Sequence, residues 1–315
     1  MNHSNFTSCD KIDFSADQTF LPVLYGCIFC MGLPTNCLAL YGLYRLVKAN
    51  YTLPIYAINL LLADLLQIAT LPFWIDYFKS GHTWHFGDIA CKIIGSVFYI
   101  SLAVSILFMC CISLERYLAI VHPLWFQGCR KLRNVYALCL AVWLFIILIV
   151  SVGVSIALKR PQDSKLCMES HNWSKTLAIF QLVTPSIVFV IPLLLLVFLS
   201  LLVHRSLAQS LSFPEQEKRR ISGLLLLIVL LFLLIFGPYH FVKVVLYAGS
   251  LAAADKCDFK ARVFTSYQIS IGLLSVNALL DPMIYIFIYR DTRKKMLDSL
   301  PCFRWMRKST VNSSQ

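Results

Sequence analysis

Seven long apolar runs constrain this chain more than any other feature of its sequence. Each run holds few charges and exceeds the roughly 20 residues that a helix needs to cross a bilayer. The runs are Leu21–Leu46, Leu53–Phe78, Ile89–Ile120, Val135–Leu158, Thr176–Val203, Ile221–Ala248 and Val263–Ile288. Backbone groups in lipid must bond within the protein, so only helices and closed barrels span a membrane. Because these runs lack the alternation of barrel strands, they predict an all-α membrane protein, a bundle of seven transmembrane helices.

The composition agrees with a membrane protein and excludes most soluble classes. The chain is 58% hydrophobic and 14% charged, whereas soluble domains carry about 25% charged residues. The sequence contains no nucleotide-binding glycine loop, zinc pattern or soluble catalytic domain. Residues Met1–Gln18 lack the basic start and short apolar core of a cleaved signal peptide. The first apolar run is therefore expected to act as the targeting signal.

Lysine and arginine residues predict the direction of the seven crossings. They are concentrated in the links after the first, third and fifth runs and beyond the seventh run, which are expected to face the cytoplasm. The net charge of +12 then marks a cytoplasmic face that contacts lipid or a protein partner, rather than a nucleic-acid-binding surface. With the N-terminus outside, three acceptor tripeptides for glycosylation also lie outside, and they begin at Asn2, Asn5 and Asn172.

Two aspartates interrupt the apolar runs. Asp64 lies in the second run and Asp281 in the seventh, and an ionisable group at such a depth suggests function because it is costly to bury. Asn277 and Asp281 are four residues apart and share one helix face. With Ser105 they could form a polar core that holds water or a small cation. The alternative is a hydrogen-bonded contact between helices without an ion.

Motifs in all seven runs match one family in order and spacing. They are Gly32-Leu33-Pro34-Thr35-Asn36, Leu60 to Asp64, Cys91, Glu115-Arg116-Tyr117, Trp143, Pro192, Phe232, Phe236, Pro238 and Asp281-Pro282-Met283-Ile284-Tyr285. The chain resembles the rhodopsin-like (class A) G-protein-coupled receptors over nearly its whole length. The resemblance implies a receptor, not an enzyme, that lies in the plasma membrane and activates a heterotrimeric G protein.

The resemblance also implies roles for single residues. Glu115 would hold Arg116, the switch arginine beside Tyr117, until activation frees it to meet the G protein, and Tyr285 would swing inward. The activation hinge would consist of Phe232, Phe236 and Pro238. The family's sodium pocket corresponds to Asp64, Ser105, Asn277 and Asp281. Two positions depart from the family's pattern, because Phe236 replaces a tryptophan and Ser200 replaces a tyrosine.

The same resemblance implies two disulfides and the organisation of the chain ends. It implies a disulfide between Cys91 and Cys167, and a second one between Cys9 and Cys257 as in some nucleotide and peptide receptors. The amphipathic stretch Tyr289–Leu300 resembles the family's short eighth helix, and Cys302 after it is a candidate for palmitoylation. The expected domains are therefore an extracellular N-terminus (1–20), the seven-transmembrane receptor domain (21–288), and helix 8 with the cytoplasmic tail (289–315).

The ligand remains open between two chemical classes. The chain is most similar to the proton-sensing and lysophospholipid-linked branch, in motifs such as Thr70 to Phe78 and Pro238-Tyr239-His240. Histidine titrates between about pH 5 and 8, and the candidate proton sensors are His82, His85, His171 and His240, although surface histidines can be incidental. The rival ligand is a lysophospholipid, another anionic lipid or a nucleotide, whose phosphate Lys243 and Arg262 could hold, unless they contact lipid headgroups or neighbouring aspartates instead.

A different class, a small transporter or channel, is also compatible with seven spans and buried carboxylates. It predicts two related halves and helices broken at mid-membrane. The sequence shows no such repeat.

Overall fold

The computed structural model describes residues 15–47, 53–129, 131–158, 167–168, 175–210, 213–252 and 256–288. Several predicted features lie outside the described residues: the glycosylation sites Asn2, Asn5 and Asn172, the cysteines Cys9 and Cys302, His171, and the eighth helix at Tyr289–Leu300. The side chains of Cys257 and Tyr285 lie outside them as well.

The described ranges form nine α-helices and no strand. The helices are α1 (Ser15–Val47), α2 (Leu53–Lys79), α3 (Gly87–Val121), α4 (Pro123–Cys129), α5 (Leu132–Leu158), α6 (Lys175–Gln209), α7 (Glu215–Ala252), α8 (Lys256–Leu274) and α9 (Asn277–Ile288). Seven helical stretches are long and apolar enough to cross a membrane. The predicted all-α bundle with seven spans is confirmed.

The seventh span departs from the prediction of one continuous helix over Val263–Ile288. It is divided between α8 and α9 by a turn at Ser275 and Val276. The amides of Ser275 and Val276 donate to the carbonyls of Gly272 and Leu273, three residues back, at 3.1 and 3.0 Å. Such shorter bonds satisfy carbonyls where an α-helix ends. The break therefore lies directly before Asn277, the first residue of the predicted polar core on this span.

Two ends of the bundle can be told apart by their residues. The "arginine end" carries Glu115 and Arg116 near the end of α3, and the "disulfide end" carries Cys91 near its start. Between the two ends, buried apolar side chains of the helices form one continuous core. The helix surfaces that point away from this core expose large apolar side chains, for example Leu144 and Leu148 of α5, which are 58% and 64% exposed. A surface of this kind is suited to lipid.

The disulfide between Cys91 and Cys167 is present, as the resemblance implies. The two Cα atoms are 5.6 Å apart, within the usual range for a disulfide. Met168, the next residue, packs on α3 at Gly95, where an added Cβ would collide with the methionine side chain. The bridge and this contact lie one turn apart on α3, so they hold residues 167–168 against the helix.

Candidate functional site

A buried histidine–aspartate pair lies at the disulfide end. His82 follows α2 and Asp17 lies in the first turn of α1. Nε2 of His82 is 2.9 Å from Oδ2 of Asp17, and both side chains are 1% exposed. The pair joins two segments 65 residues apart in sequence. His82 was among the sequence-predicted sensors, but its partner Asp17 was not.

The backbone around His82 explains how a histidine becomes buried after a helix end. Gly81 and His82 adopt left-handed φ values of 62° and 58°. Their amides close α2 by donating to the carbonyls of Phe78 and Tyr77, both at 3.1 Å. Glycine is the usual residue in this conformation, and other residues adopt it uncommonly. The strained position of His82 is an observation that suggests a functional role for its side chain.

Aromatic rings enclose the imidazole of His82. Its centroid lies 5.2 Å from that of Tyr77, 5.1 Å from that of Phe78 and 5.7 Å from that of Phe264. Phe264 belongs to α8, so the imidazole contacts three helices through Asp17, the two α2 rings and Phe264. We call this set of residues the histidine junction.

The charge of the histidine junction depends on the protonation of one ring. A carboxylate buried away from water is costly unless it is paired. Oδ1 of Asp17 has no hydrogen-bond partner among the described residues, and Oδ2 contacts His82. A protonated imidazole would neutralise this carboxylate, whereas a neutral one would leave it without a counter-charge among the described residues. The pair is thus stronger in acid.

His85, a second predicted sensor, pairs with a carboxylate in a much more exposed position. Its Nδ1 is 3.2 Å from Oδ2 of Asp76, but the two side chains are 53% and 46% exposed. Water screens an exposed pair, whose contribution is small. His85 and Asp76 therefore provide an exposed counterpart to the buried pair.

A separate cluster of basic and aromatic side chains lies on α7. Lys243 is only 8% exposed, and its Nζ donates to the hydroxyl of Tyr239 at 2.9 Å. The same Nζ lies over the rings of Tyr239 and Tyr247, 5.2 and 5.9 Å from their centroids. Within the described part of the chain, no carboxylate lies within salt-bridge distance of it. A buried ammonium surrounded by aromatic rings is suited to an anionic ligand.

The other candidate phosphate contact has a carboxylate on its own helix. Arg262 pairs with Asp258 at 2.9 Å and is 72% exposed. Lys92, near the start of α3, likewise lies 3.5 Å from Asp88. Arg262 thus follows the neighbouring-aspartate alternative, and Lys243 differs from both of these basic residues. The imidazole of His240 stacks on the ring of Phe189 of α6, with centroids 4.6 Å apart.

The four residues of the predicted polar core are all fully buried, and the structure brings them together. Oγ of Ser105 donates to Oδ1 of Asp64 at 3.5 Å, and Nδ2 of Asn277 donates to Oδ2 of Asp281 at 2.7 Å. The other side-chain oxygens of Asp64, Asn277 and Asp281 have no hydrogen-bond partner among the described residues. Carboxylate and amide oxygens are ligands for hard cations. The donor set therefore fits a small cation.

The neighbouring Asn36 fixes the position of α9. Its Nδ2 donates to the carbonyl of Ala278 at 2.6 Å and to that of Gly32 at 2.8 Å. The first of these bonds ties α1 to α9 immediately after the break in the seventh span. This bond holds the start of α9 against α1, next to the polar core that contains Asn277 and Asp281.

At the arginine end, buried apolar side chains fill the space between α3, α6 and α7. Val203 and Leu207 of α6 form a buried cluster with Leu225 of α7, against which Tyr117 and Ile120 of α3 pack. Glu115 is buried, and the hydroxyl of Tyr117 lies 3.2 Å from Nε2 of His122. The predicted hinge residues Phe232 and Phe236 are also buried, with centroids 5.1 Å apart. A partner helix could enter between α3, α6 and α7 only if these helices separate.

Comparison with known proteins places this architecture in one family. The profile of the 7 transmembrane receptor (rhodopsin family) matches residues 35–285. G-protein coupled receptor 68 of Homo sapiens is 32% identical over 294 residues, 92% of this chain and 78% of that protein. Probable G-protein coupled receptor 132 of Homo sapiens is 29% identical, over 92% of this chain and 76% of its own. Lysophosphatidic acid receptor 6 of Mus musculus is 34% identical over 86% of this chain and 82% of its own.

Proposed function

The chain belongs to the rhodopsin family of seven-transmembrane, G-protein-coupled receptors, and from this premise we propose that extracellular acid is the signal it transmits to a heterotrimeric G protein. The disulfide end faces the outside of the plasma membrane in this proposal. Disulfides persist in oxidising surroundings, and basic residues are concentrated at the opposite side of the sequence-predicted spans. The arginine end then faces the cytoplasm and the G protein.

The buried pair of His82 and Asp17 is the observation that carries this proposal. In acid, the imidazole gains a proton and the pair becomes a neutral, hydrogen-bonded ion pair inside an aromatic cage. This stabilisation is present at low pH and is lost as pH rises and the imidazole loses its proton. Acid thereby strengthens the packing of α1, α2 and α8 at the outer end.

The seventh span connects the histidine junction at the outer end to the polar core and the cytoplasmic side of the bundle. Phe264 of the histidine junction lies on α8, and α8 ends at the turn before Asn277. A shift of α8 therefore acts on the polar core at Asp281. We propose sodium as the ion that Asp64, Ser105, Asn277 and Asp281 would hold, because three oxygens of this set have no hydrogen-bond partner among the described residues. A bound cation would supply a positive charge that holds these residues of α2, α3 and α9 together.

The test is a pH titration of receptor-dependent nucleotide exchange on a G protein, from about pH 8 to about pH 6, the range in which histidine titrates. Wild type is expected to gain activity in acid. His82→Phe keeps a ring inside the aromatic cage and removes the titratable group, so most of the pH response should disappear. His85→Phe is the matched control, because His85 is exposed, and should retain the response. An unchanged titration for His82→Phe would refute the proposed sensor.

A second candidate ligand is a lysophospholipid, and the burial of Lys243 favours it. One relative is named for lysophosphatidic acid, and a phosphate monoester is an anion that Lys243 could pair with. Lysophosphatidic acid, a nucleoside diphosphate or buffer alone would be added at a fixed pH near 8, where the acid response is off. A response that Lys243→Met abolishes and His82→Phe retains would establish the lipid or the nucleotide as the ligand, and no response to either anion would exclude this candidate.

A further inference from the structure

One buried face of α1 lies along the outer part of the seventh span. Asp17, Leu21 and Tyr25 follow each other at intervals of four residues, so they lie on one side of the helix. All three side chains are almost fully buried. Asp17 belongs to the histidine junction, and Leu21 packs on Gly272, where an added Cβ would lie 2.5 Å from Cδ2 of the leucine. α1 therefore follows the seventh span from the histidine junction to the last turn of α8.

Ser275, the first residue of the break in the seventh span, connects this face to α2. Its side chain is fully buried, and Nε2 of Gln67 donates to its Oγ at 3.4 Å. The same hydroxyl forms a hydrogen bond with the phenol of Tyr25. We call Tyr25, Gln67 and Ser275 the polar clasp. The polar clasp joins α1 and α2 to the residue that follows α8.

Gln67 brings the polar clasp next to the polar core. It follows Asp64 by three residues, and residues at this spacing are neighbours on one face of a helix. Oε1 of Gln67 is buried and has no hydrogen-bond partner among the described residues, although an unpaired buried acceptor is costly. An apolar side chain would avoid that cost, so stability alone does not explain a glutamine here. Its bond to Ser275 is also longer than a typical N–H···O bond, so a small displacement of α8 could break it.

We propose that the polar clasp carries the acid signal from the histidine junction to the polar core, and that Gln67 is its positioning residue. This inference rests on the proposed acid sensing at the histidine junction. When the histidine junction tightens in acid, the facing sides of α1 and α8 shift, and Tyr25 and Ser275 pass this shift to the break. Gln67 supplies the fixed point on α2 against which Ser275 moves.

The polar clasp transmits the signal without sensing acid itself. Neither Gln67 nor Ser275 titrates. Among the described residues, the titratable groups around the clasp are Tyr25, Tyr99 of α3 near that phenol, and Asp64 one turn away on α2. A phenol titrates at about pH 10, outside the range in which histidine responds. Loss of the clasp should therefore leave the charge change at the histidine junction in place and reduce its effect on the G protein.

The first measurement is nucleotide exchange on a G protein in membranes, from about pH 8 to about pH 6, at equal surface expression. Gln67→Met and Ser275→Ala each remove the bond between α2 and the break, and Tyr25→Phe removes only the phenol hydroxyl. Each variant should reduce the acid-induced rise in exchange roughly two- to tenfold, as expected from the loss of one hydrogen bond. Thr70→Val is the matched control and should keep the full rise, because the buried hydroxyl of Thr70 bonds only within α2, to the carbonyl of Gln67 at 2.7 Å.

The second measurement needs no acid. Amide hydrogen exchange is followed at a fixed pH near 8 in peptides that cover residues 272–278 of the purified receptor in lipid nanodiscs. The amides of Ser275 and Val276 are hydrogen-bonded in the intact break. They should exchange roughly two- to tenfold faster in Gln67→Met than in wild type or in Thr70→Val, because the clasp no longer holds the turn.

A double variant separates the polar clasp from general loosening of the fold. Gln67→Met combined with Ser275→Ala should reduce the acid response little more than the stronger single variant, because both remove one contact. The proposal is overturned if the single variants keep the wild-type rise, if Thr70→Val reduces it equally, if the two losses multiply, or if the turn amides exchange at the wild-type rate. Failure of the acid sensing looks different, because wild type itself would then show no rise. The signal that the clasp carries would not exist, and only the faster exchange of the turn amides would remain.

Discussion

Replacing Asp17 by asparagine tests the electrostatics of the histidine junction with the least change in shape. The introduced amide would keep an oxygen near Nε2 of His82 but lose the negative charge that lies 2.9 Å from it. A hydrogen bond to a charged group contributes about 1.5–3 kcal/mol, and about 1.4 kcal/mol corresponds to one pH unit. The midpoint of the acid response should therefore move about one to two units lower. Its direction follows because the protonated imidazole loses its counter-charge.

The matched variant Asp76→Asn removes the partner of His85, whose pair is about half exposed. An exposed pair contributes about 0–1 kcal/mol, so the midpoint should move by well under one unit. Both midpoints come from the same pH titration of nucleotide exchange on a G protein, normalised to receptor at the surface. Equal shifts for the two variants, or a shift of Asp17→Asn towards higher pH, would refute the argument from burial.

Three further predictions concern other parts of the bundle. Gly249→Ala should lower the melting temperature of the purified receptor, because the new Cβ would collide with the ring of Phe259, whereas Gly153→Ala, with open space around it, should not. Asp64→Asn should abolish any sodium dependence of basal exchange, and an unchanged dependence would place the ion elsewhere. Arg116→Gln should reduce acid-stimulated exchange at least roughly tenfold while surface expression is retained; full exchange would contradict its assigned role.

The spans could be read from the sequence because their signal is local. Twenty or more apolar residues in a row have few alternatives in lipid, and the helices differ from the predicted runs mainly by polar turns added at their ends. α7, for instance, begins at Glu215 rather than Ile221. Only a weak turn signal marks the break at Ser275 and Val276, since neither glycine nor proline stands there. It depends on partners such as Asn36, which bonds the backbone of Ala278 from 242 residues away.

Only those parts of the candidate site that have a local signal in the sequence could be predicted. His82 could be selected because histidine titrates near neutral pH, and the polar core because aspartates are rare in apolar runs. Asp17 could not, because it stands in a polar segment where a carboxylate is unremarkable, and only folding brings it to His82. The sequence does not show which of its 22 phenylalanines contact His82 or His240, so Phe189 and Phe264 could not be selected for these contacts. Their importance comes from ring contacts between different helices.

Above all, we propose that acid acts on this receptor through the pair of His82 and Asp17. The most direct test uses the purified chain in lipid nanodiscs with a purified heterotrimeric G protein, and measures nucleotide exchange from about pH 8 to about pH 6. We expect exchange to rise with acidity for wild type and to be nearly flat for His82→Phe, after correction for the pH dependence of the G protein alone. Exchange that does not respond to pH in wild type, or that rises equally in His82→Phe, would contradict the proposal.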